Sequence, residues 1–150
     1  MTISIRRARL PDYLFIRRVR NENRRMMTGN QKYLTLWDQL KFWWKKPSNM
    51  HLYVARIDRK RAGYLLLHTV GGLTYITEVV SAEYRREGIG AAMISFAQVK
   101  HQKLVAEIFA FNQQSVNLHL RSGFKLEDEL EDQLTCASPH PPRIFTYIWP

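Results

Sequence analysis

The chain has 150 residues, 45% hydrophobic and 12% aromatic, which excludes a disordered polymer and supplies enough apolar material for one full core. No apolar run approaches the ~18 residues of a membrane span, and the single cysteine, Cys136, excludes an internal disulfide and, with five scattered histidines, builds no zinc-like spacing. The net charge of +10 is uneven: residues 1–61 hold 16 Lys/Arg against 4 Asp/Glu, a balance of +12, and residues 62–150 hold 7 against 9, a balance of −2. A basic field of that kind attracts coenzymes, nucleotide-linked substrates or nucleic acid, with a merely solubilising surface as the plain alternative. The N-terminus, MTISIRRARLPD, lacks the apolar centre of a secretion signal, so the expectation is a cytoplasmic protein of one domain, residues 1–150, with no metal and no membrane contact.

Ile3 to Ala8 alternates and predicts a first strand. Pro11-Asp12 opens a helix carrying Tyr13, Leu14, Ile16 and Val19, with Arg17, Arg20 and Arg24 on one face by three/four spacing. Thr28-Gly29-Asn30 breaks it. Thr35 caps a second helix with Asp38 three residues on, in capping-box spacing, and Lys45-Lys46 before Pro47 ends it. Trp37, Phe42, Trp43 and Trp44 in that helix exceed what one buried face needs. Some are expected at an acceptor pocket or a homodimer contact, and wholly core roles are the alternative. His51–Ile57 and Gly63–Val70 predict two strands joined by a turn over 58–62, and Gly71-Gly72 a hairpin into a strand over 73–80. A helix follows Gly88 to about Lys100, then a strand over 104–111. A helix over 113–121 stops at Ser122-Gly123, and a strand runs over 124–129. Residues 137–142, ASPHPP, predict a rigid loop, and Arg143 to Trp149 a final strand.

The stretch around which these elements are arranged is Tyr75–Ser95, YITEVVSAEYRREGIGAAMIS. A strand, a turn with Gly88 and Gly90, and a helix start form an anion site, because the first N–H groups of a helix have no partner within it. Glycine lets a phosphate approach the backbone, and Arg85 and Arg86 add charge. The dinucleotide fingerprint and the P-loop need residues that are absent here, and a tight helix entry without a ligand has the same spacing.

Arg85-x-x-Gly88-x-Gly90, after a strand and opening a helix, resembles the pyrophosphate loop of the GNAT acyltransferase superfamily. Downstream, Asn112-x-x-Ser115-x-x-Leu118-His119-x-x-x-Gly123-Phe124 resembles a second segment of that family, with Ser115 in place of the usual Ala and His119 in place of the usual Tyr. The resemblance covers residues 75–124 well and the first 70 only as a general pattern. It implies an α/β fold, a mixed twisted sheet of about seven strands with helices on both faces, splayed between strands 73–80 and 104–111. It implies acetyl-coenzyme A as cosubstrate, its pantetheine arm along Thr77, Glu78 and Val79. The pyrophosphate would rest on Arg85, Arg86, Glu87, Gly88, Ile89 and Gly90, and Asn112 and Ser115 would add contacts.

Acetyl transfer to an amine needs a base, since an alkylamine with a pKa near ~10.4 is mostly protonated, and an acid for the leaving thiolate. Glu107, in the apolar run LVAEIFAF, is the first candidate base and Glu78 the second. A salt bridge at a sheet end is the plain alternative for Glu107. His119, at the family's Tyr position, is the candidate acid, with Tyr84 or water in reserve and a packing role as the alternative. Asn112 also has the position of a helix cap. The layout of residues 20–44 resembles that of GNAT enzymes acting on amino-sugar nucleotides, which implies an acceptor of that type, and basic plus aromatic chemistry at Arg20, Arg24, Arg25 and Trp43 suits an anionic or nucleotide-linked amine. A protein amine, an aminoacyl-tRNA, or a nucleic-acid-binding module on a degenerate scaffold are the competing readings.

Overall fold

The computed structural model describes residues 1–131 and 142–150. Strands β1 (Ile3–Arg7), β2 (Met50–Ile57), β3 (Lys60–Val70), β4 (Leu73–Val80), β5 (Leu104–Phe109), β6 (Lys125–Glu131) and β7 (Arg143–Trp149) form one sheet in the order β1-β2-β3-β4-β5-β7-β6. Helices α1 (Asp12–Glu22) and α2 (Leu36–Lys45) cover one face, and α3 (Ile89–Lys100) and α4 (Gln113–Arg121) the other. Each face has its own core. Val19, Val54, Tyr64 and Val79 pack with α1 and α2, and Leu65, Ile76, Met93, Ile94 and Ala106 pack with α3 and α4.

Side chains alternate across a strand, so this division assigns a direction to each residue of β4 and β5. Ile76 faces α3 and α4, and Glu78 shares its parity. Val79 faces α1 and α2, and Thr77 shares its parity. Ala106 and Ile108 face α3 and α4, which turns Glu107 to the α1–α2 side.

β4 pairs with β3 over its whole length but with β5 at two positions only, Thr74 with Leu104 and Tyr75 with Val105. From Ile76 onward the two strands part. This is the expected splay, and it leaves β4 backbone groups without a ladder on that side.

Local chemistry explains most boundaries. Thr35 Oγ1 accepts from Asp38 N–H and Asp38 Oδ2 from Thr35 N–H, at 3.1 and 2.9 Å, closing the capping box that starts α2. Gly71 and Gly72 take φ of 57° and 80°, as a two-residue hairpin requires. Besides shifts of one or two residues at the ends of β1, β2 and β6, three boundaries differ from the sequence reading. The β2–β3 connection is not a turn over 58–62 but a two-residue hairpin at Asp58-Arg59, both left-handed at φ 45° and 72°. The pairing of β2 and β3 extends down to Ile57–Lys60 and holds these non-glycine residues there. β5 stops at Phe109, because Asn112 N–H turns back to Phe109 O at 2.9 Å and Phe111 swings outward to stack on Phe109. α1 stops at Glu22, where the Asn23 side chain and N–H both return to Val19 O, and one tight turn, Arg24–Met26, follows. Cys136 and residues 137–141 lie outside the described residues.

Asp12 anchors the basic half. It is buried and accepts two bonds from Arg6, one from Arg61 Nε and one from Arg9 N–H, at 2.7 to 3.0 Å. Burial alone would push its carboxyl up, but these partners reverse that and hold it well below the usual carboxylate range.

Candidate active site

The splay opens into a cleft of ≈ 1610 Å³, running from the N-terminus of α3 across β4 and β5 to the underside of α2. A pocket for one small ligand occupies roughly 300–1,000 Å³, so this volume suits two ligands meeting end to end.

One end is built from backbone. After β4 the chain makes a tight turn, Ala82–Tyr84, pinned by Ser81 N–H on Ala62 O at 2.8 Å. Arg86 and Gly88 then take left-handed φ of 68° and 77°, and α3 begins at Ile89 with no side-chain cap. Alternating handedness of this kind turns successive N–H groups toward one side, and the uncapped first turn adds more. Nothing lies within 4 Å of a Cβ built on Gly88, so the space before the loop is open. Gly90 has a different reason to be glycine: a Cβ there would sit 2.8 Å from Leu118 Cδ2, where α3 packs on α4. Arg85 and Arg86 line the cleft, but the Glu87 side chain does not. Arg85 Nη2 donates to Asn23 Oδ1 at 2.9 Å and so ties the loop to the end of α1, a contact that no sequence spacing announces.

The centre holds the titratable groups. Asn112 caps α4 by accepting from Ser115 N–H at 3.4 Å. One turn on, His119 is 1% exposed and stands edge-on to Phe124. Its Nδ1 is 2.8 Å from Ser115 O, which makes Nδ1 the protonated nitrogen. Its Nε2 has no hydrogen bond among the described residues and lies 3.5 Å from Oε2 of Glu78, whose side chain is 7% exposed. At this separation the two form an ion pair when the imidazole is protonated. Burial pushes the imidazole pKa down, but the Glu78 charge and the Ser115 carbonyl raise it further, for a net rise. An unprotonated Nε2 lone pair facing a carboxylate would be repelled by it, which argues the same way.

Glu107 is not part of this pair. It is exposed, it lines the cleft, and its backbone oxygen accepts from Thr28 Oγ1 at 3.5 Å. The structure therefore brings Glu78 and His119 together and leaves Glu107 alone on the opposite face of the sheet. Thr77, Glu78, Val79, Asn112 and Ser115 all line the cleft.

The acceptor-side residues are distributed differently from the sequence reading. Arg20 reaches the cleft, but its guanidinium donates to Asn30 O and Lys32 O. Arg17 donates to Leu34 O, and Asn21 both donates to and accepts from Leu34. These side chains hold the 27–35 loop. Arg24 and Arg25 border a separate shallow depression of ≈ 470 Å³ around Tyr33, over which Arg17 and Arg24 stack. Trp43 stands edge-on to Tyr13 at 4.6 Å within the core. The cations lining the cleft on this side besides Arg20 are Lys32 and Lys41, and Lys41 Nζ lies 5.6 Å from the ring centre of Trp37.

Two residues missed in the sequence stand out. Gln39 is the most buried residue of α2, at 3% exposure, whereas Trp37 and Trp44 of the same helix are 64% and 85% exposed. Tyr64 on β3 lines the same cleft and is also buried, and burial pushes its phenol pKa up strongly. The inward spacing of Gln39, Phe42 and Trp43 was the available signal, obscured by the surplus of apolar residues around it.

The residues fit a coenzyme A thioester. The parted strands offer backbone to an extended amide-bearing arm, and the α3 N-terminus with open space at Gly88 offers a place for a pyrophosphate. Fold and site thus define an acyl-coenzyme A-dependent transferase. Residues 16–124 match the sequence model of the acetyltransferase (GNAT) family. The chain belongs to the GNAT acetyltransferase family, and it is an acetyl-coenzyme A-dependent N-acetyltransferase. Among curated proteins none matches it by sequence.

Solved structures agree on the fold. An N-acetyltransferase from Staphylococcus aureus Mu50 is 20% identical, with 99% of this chain and 98% of that one aligned at a TM-score of 0.83. A spermidine N-acetyltransferase from Vibrio cholerae, in complex with coenzyme A and spermine, is 16% identical over 98% and 94%, at 0.82. A ribosomal-protein-alanine N-acetyltransferase from Brucella melitensis is 19% identical over 97% and 98%, at 0.81. Their stated acceptors differ from one another, and at these identities the likeness speaks for the fold alone.

Proposed function

We propose that residues 1–150 act as one catalytic domain that acetylates a primary amine by direct attack in a ternary complex, with Glu107 as base and His119 as acid. The observation that carries this reading is the separation of charges across the splay. Glu107 faces the α1–α2 side, where an acceptor has room, and the Glu78–His119 pair is buried on the α3–α4 side. Acetyl-coenzyme A supplies the activated acyl group. Glu107, open to solvent in the cleft, takes the ammonium proton, directly or through water, and passes it to solvent, so that the neutral amine forms the new N–C bond; the second proton, lost as that nitrogen becomes an amide, leaves by the same route. His119 Nε2 is sealed behind Glu78 before the cosubstrate binds, so as the C–S bond breaks its proton reaches the leaving sulfur by a shift of the imidazole or the Glu78 carboxylate that opens Nε2 to the splay. The Glu78 carboxylate raises the proton affinity of the imidazole and orients Nε2. Thr77, Glu78 and Val79 present backbone to the pantetheine arm, and the turn from Arg85 to Gly90, with Asn112 and Ser115, completes the cofactor side.

The acceptor in this reading is an anionic, nucleotide-linked amine. Lys32 and Lys41 at the rim suit phosphates, and the exposed Trp37 beside Lys41 suits a stacked base. The test is thiol release at saturating acetyl-coenzyme A with UDP-linked glucosamine, free glucosamine, spermidine and a peptide bearing an N-terminal alanine. The expected result is the lowest KM for the UDP-linked amine, rising with salt. Equal KM for linked and free glucosamine, or a preference for the peptide or the polyamine, would refute the anionic acceptor.

A further inference from the structure

α2 packs Phe42 and Trp43 against the core, yet Leu36, Trp37, Leu40 and Trp44 are exposed and its most buried residue is an amide, Gln39. Among the described residues the Gln39 side chain makes no hydrogen bond, and its polar atoms are not sealed off in the way that His119 Nε2 is. They open into the cleft. A buried amide is ordinarily paired, so one facing a cavity unpaired awaits a partner that the cavity admits. Its surroundings restrict that partner. Tyr64, Leu66 and His68 present alternate positions of β3 to the same side, and Thr77 and Glu107 close it from β4 and β5. The chamber thus holds an amide, a phenol that burial keeps protonated, an imidazole, a hydroxyl and one carboxylate. The other carboxylate nearby, Asp38, is committed to the capping box of α2.

A polyamine carries several separated cations and needs several carboxylates to receive them, so this chamber is the wrong chemistry for one. A neutral group that both donates and accepts fits it. We infer that Gln39 selects the acceptor by hydrogen-bonding a hydroxyl adjacent to its reacting amine, which makes the acceptor a hydroxylated amine of the amino-sugar class. This deepens the acceptor reading above and rests on its placement of the amine beside Glu107. It does not rest on the phosphate contacts at Lys32 and Lys41.

The test compares wild type with Gln39→Leu, a near-isosteric apolar replacement, on UDP-linked glucosamine, its 3-deoxy counterpart and spermidine. Wild type should prefer the hydroxylated probe over the deoxy one by roughly ten- to a hundredfold in kcat/KM, and Gln39→Leu should erase that preference, mainly through KM. Affinity for acetyl-coenzyme A, measured by calorimetry, should not change. The ligand-free variant should melt at the wild-type temperature or above it, because the amide has no protein partner to lose. A variant that melts several degrees lower shows Gln39 to be structural, and one that keeps the preference shows that another group reads the hydroxyl; either result overturns the inference. The melting arm needs no acceptor and decides even if every probe is poor. The two readings fail separately: equal KM for UDP-linked and free glucosamine removes the phosphate contacts and leaves the Gln39 comparison intact.

Discussion

Residues 62–150 and residues 1–61 use charge in opposite ways. The first has a slightly negative balance yet carries the proposed chemistry, through backbone N–H groups, one buried Glu–His pair and two glycines. The second carries most of the positive charge, but much of it maintains structure. Arg6 and Arg61 grip Asp12, and Arg17 and Arg20 hold the 27–35 loop by its carbonyls. A formal charge count therefore locates a basic surface without locating a binding site. What reaches a ligand is decided by which cations have no internal acceptor.

The comparison can be broken at several points. The largest effect is expected in the catalytic segment. His119→Phe and Glu107→Gln should each lower turnover by roughly 10²–10⁴-fold, with acetyl-coenzyme A affinity unchanged. The Glu107→Gln loss should shrink as pH rises and the amine deprotonates itself, and His119→Tyr should keep much of the activity. Single-turnover acetyl transfer measures all three. Near-normal turnover in Glu78→Gln would show that His119 needs no support, and a silent Glu107→Gln beside a damaging Glu78→Gln would move the base to β4.

Next in size is the structural charge. Asp12→Ala leaves Arg6 and Arg61 facing an empty site and should destabilise the fold by about 3–5 kcal/mol in urea unfolding, with little change in the KM of surviving protein. Because the Asp12 carboxyl is held low, its contribution is complete above the ordinary carboxylate range and is lost as pH falls through its folded value. Acid unfolding of wild type should therefore come at lower pH than that of Asp12→Asn.

Smaller is the cofactor loop. Arg85→Ala should weaken acetyl-coenzyme A by ~1.5–3 kcal/mol in calorimetry, as a lost charge-assisted bond. Gly88→Val should block binding more completely, because it puts a branched side chain at a left-handed position in front of the open space. The smallest effect expected is none. Arg24→Gln and Arg25→Gln should leave acceptor KM and its salt dependence as they are, since both border a depression apart from the cleft. A clear rise in KM would return them to the acceptor site.

Legibility in the sequence follows the same division. Gly88, Asn112 and the Gly71-Gly72 hairpin act through local backbone rules, and local rules can be read from spacing, whereas Gly90 answers to Leu118 on α4. The capping box of Thr35 and Asp38 could be read for the same reason. The approach of Glu78 to His119 could not, because the two lie 41 positions apart and meet only through the parity of β4 and the packing of α4. The Asp58-Arg59 hairpin was obscured because cross-strand pairing holds two left-handed residues that local preference disfavours. The ties of Arg20 were obscured because backbone carbonyls of a loop have no sequence signature.

The account turns on Glu78 holding His119 as an imidazolium in the splay. A pair with a raised imidazole pKa adds stability below ~6.5 and loses it as pH rises through the folded value. The acid role has the same sign: turnover should fall once His119 deprotonates. The decisive measurement is the pH profile of single-turnover acetyl transfer in wild type and Glu78→Gln. With the carboxylate gone, the basic limb of the profile should move to lower pH and the maximal rate should fall. Basic limbs that coincide would contradict the account, because Glu78 would then have no hold on the proton that the thiolate receives.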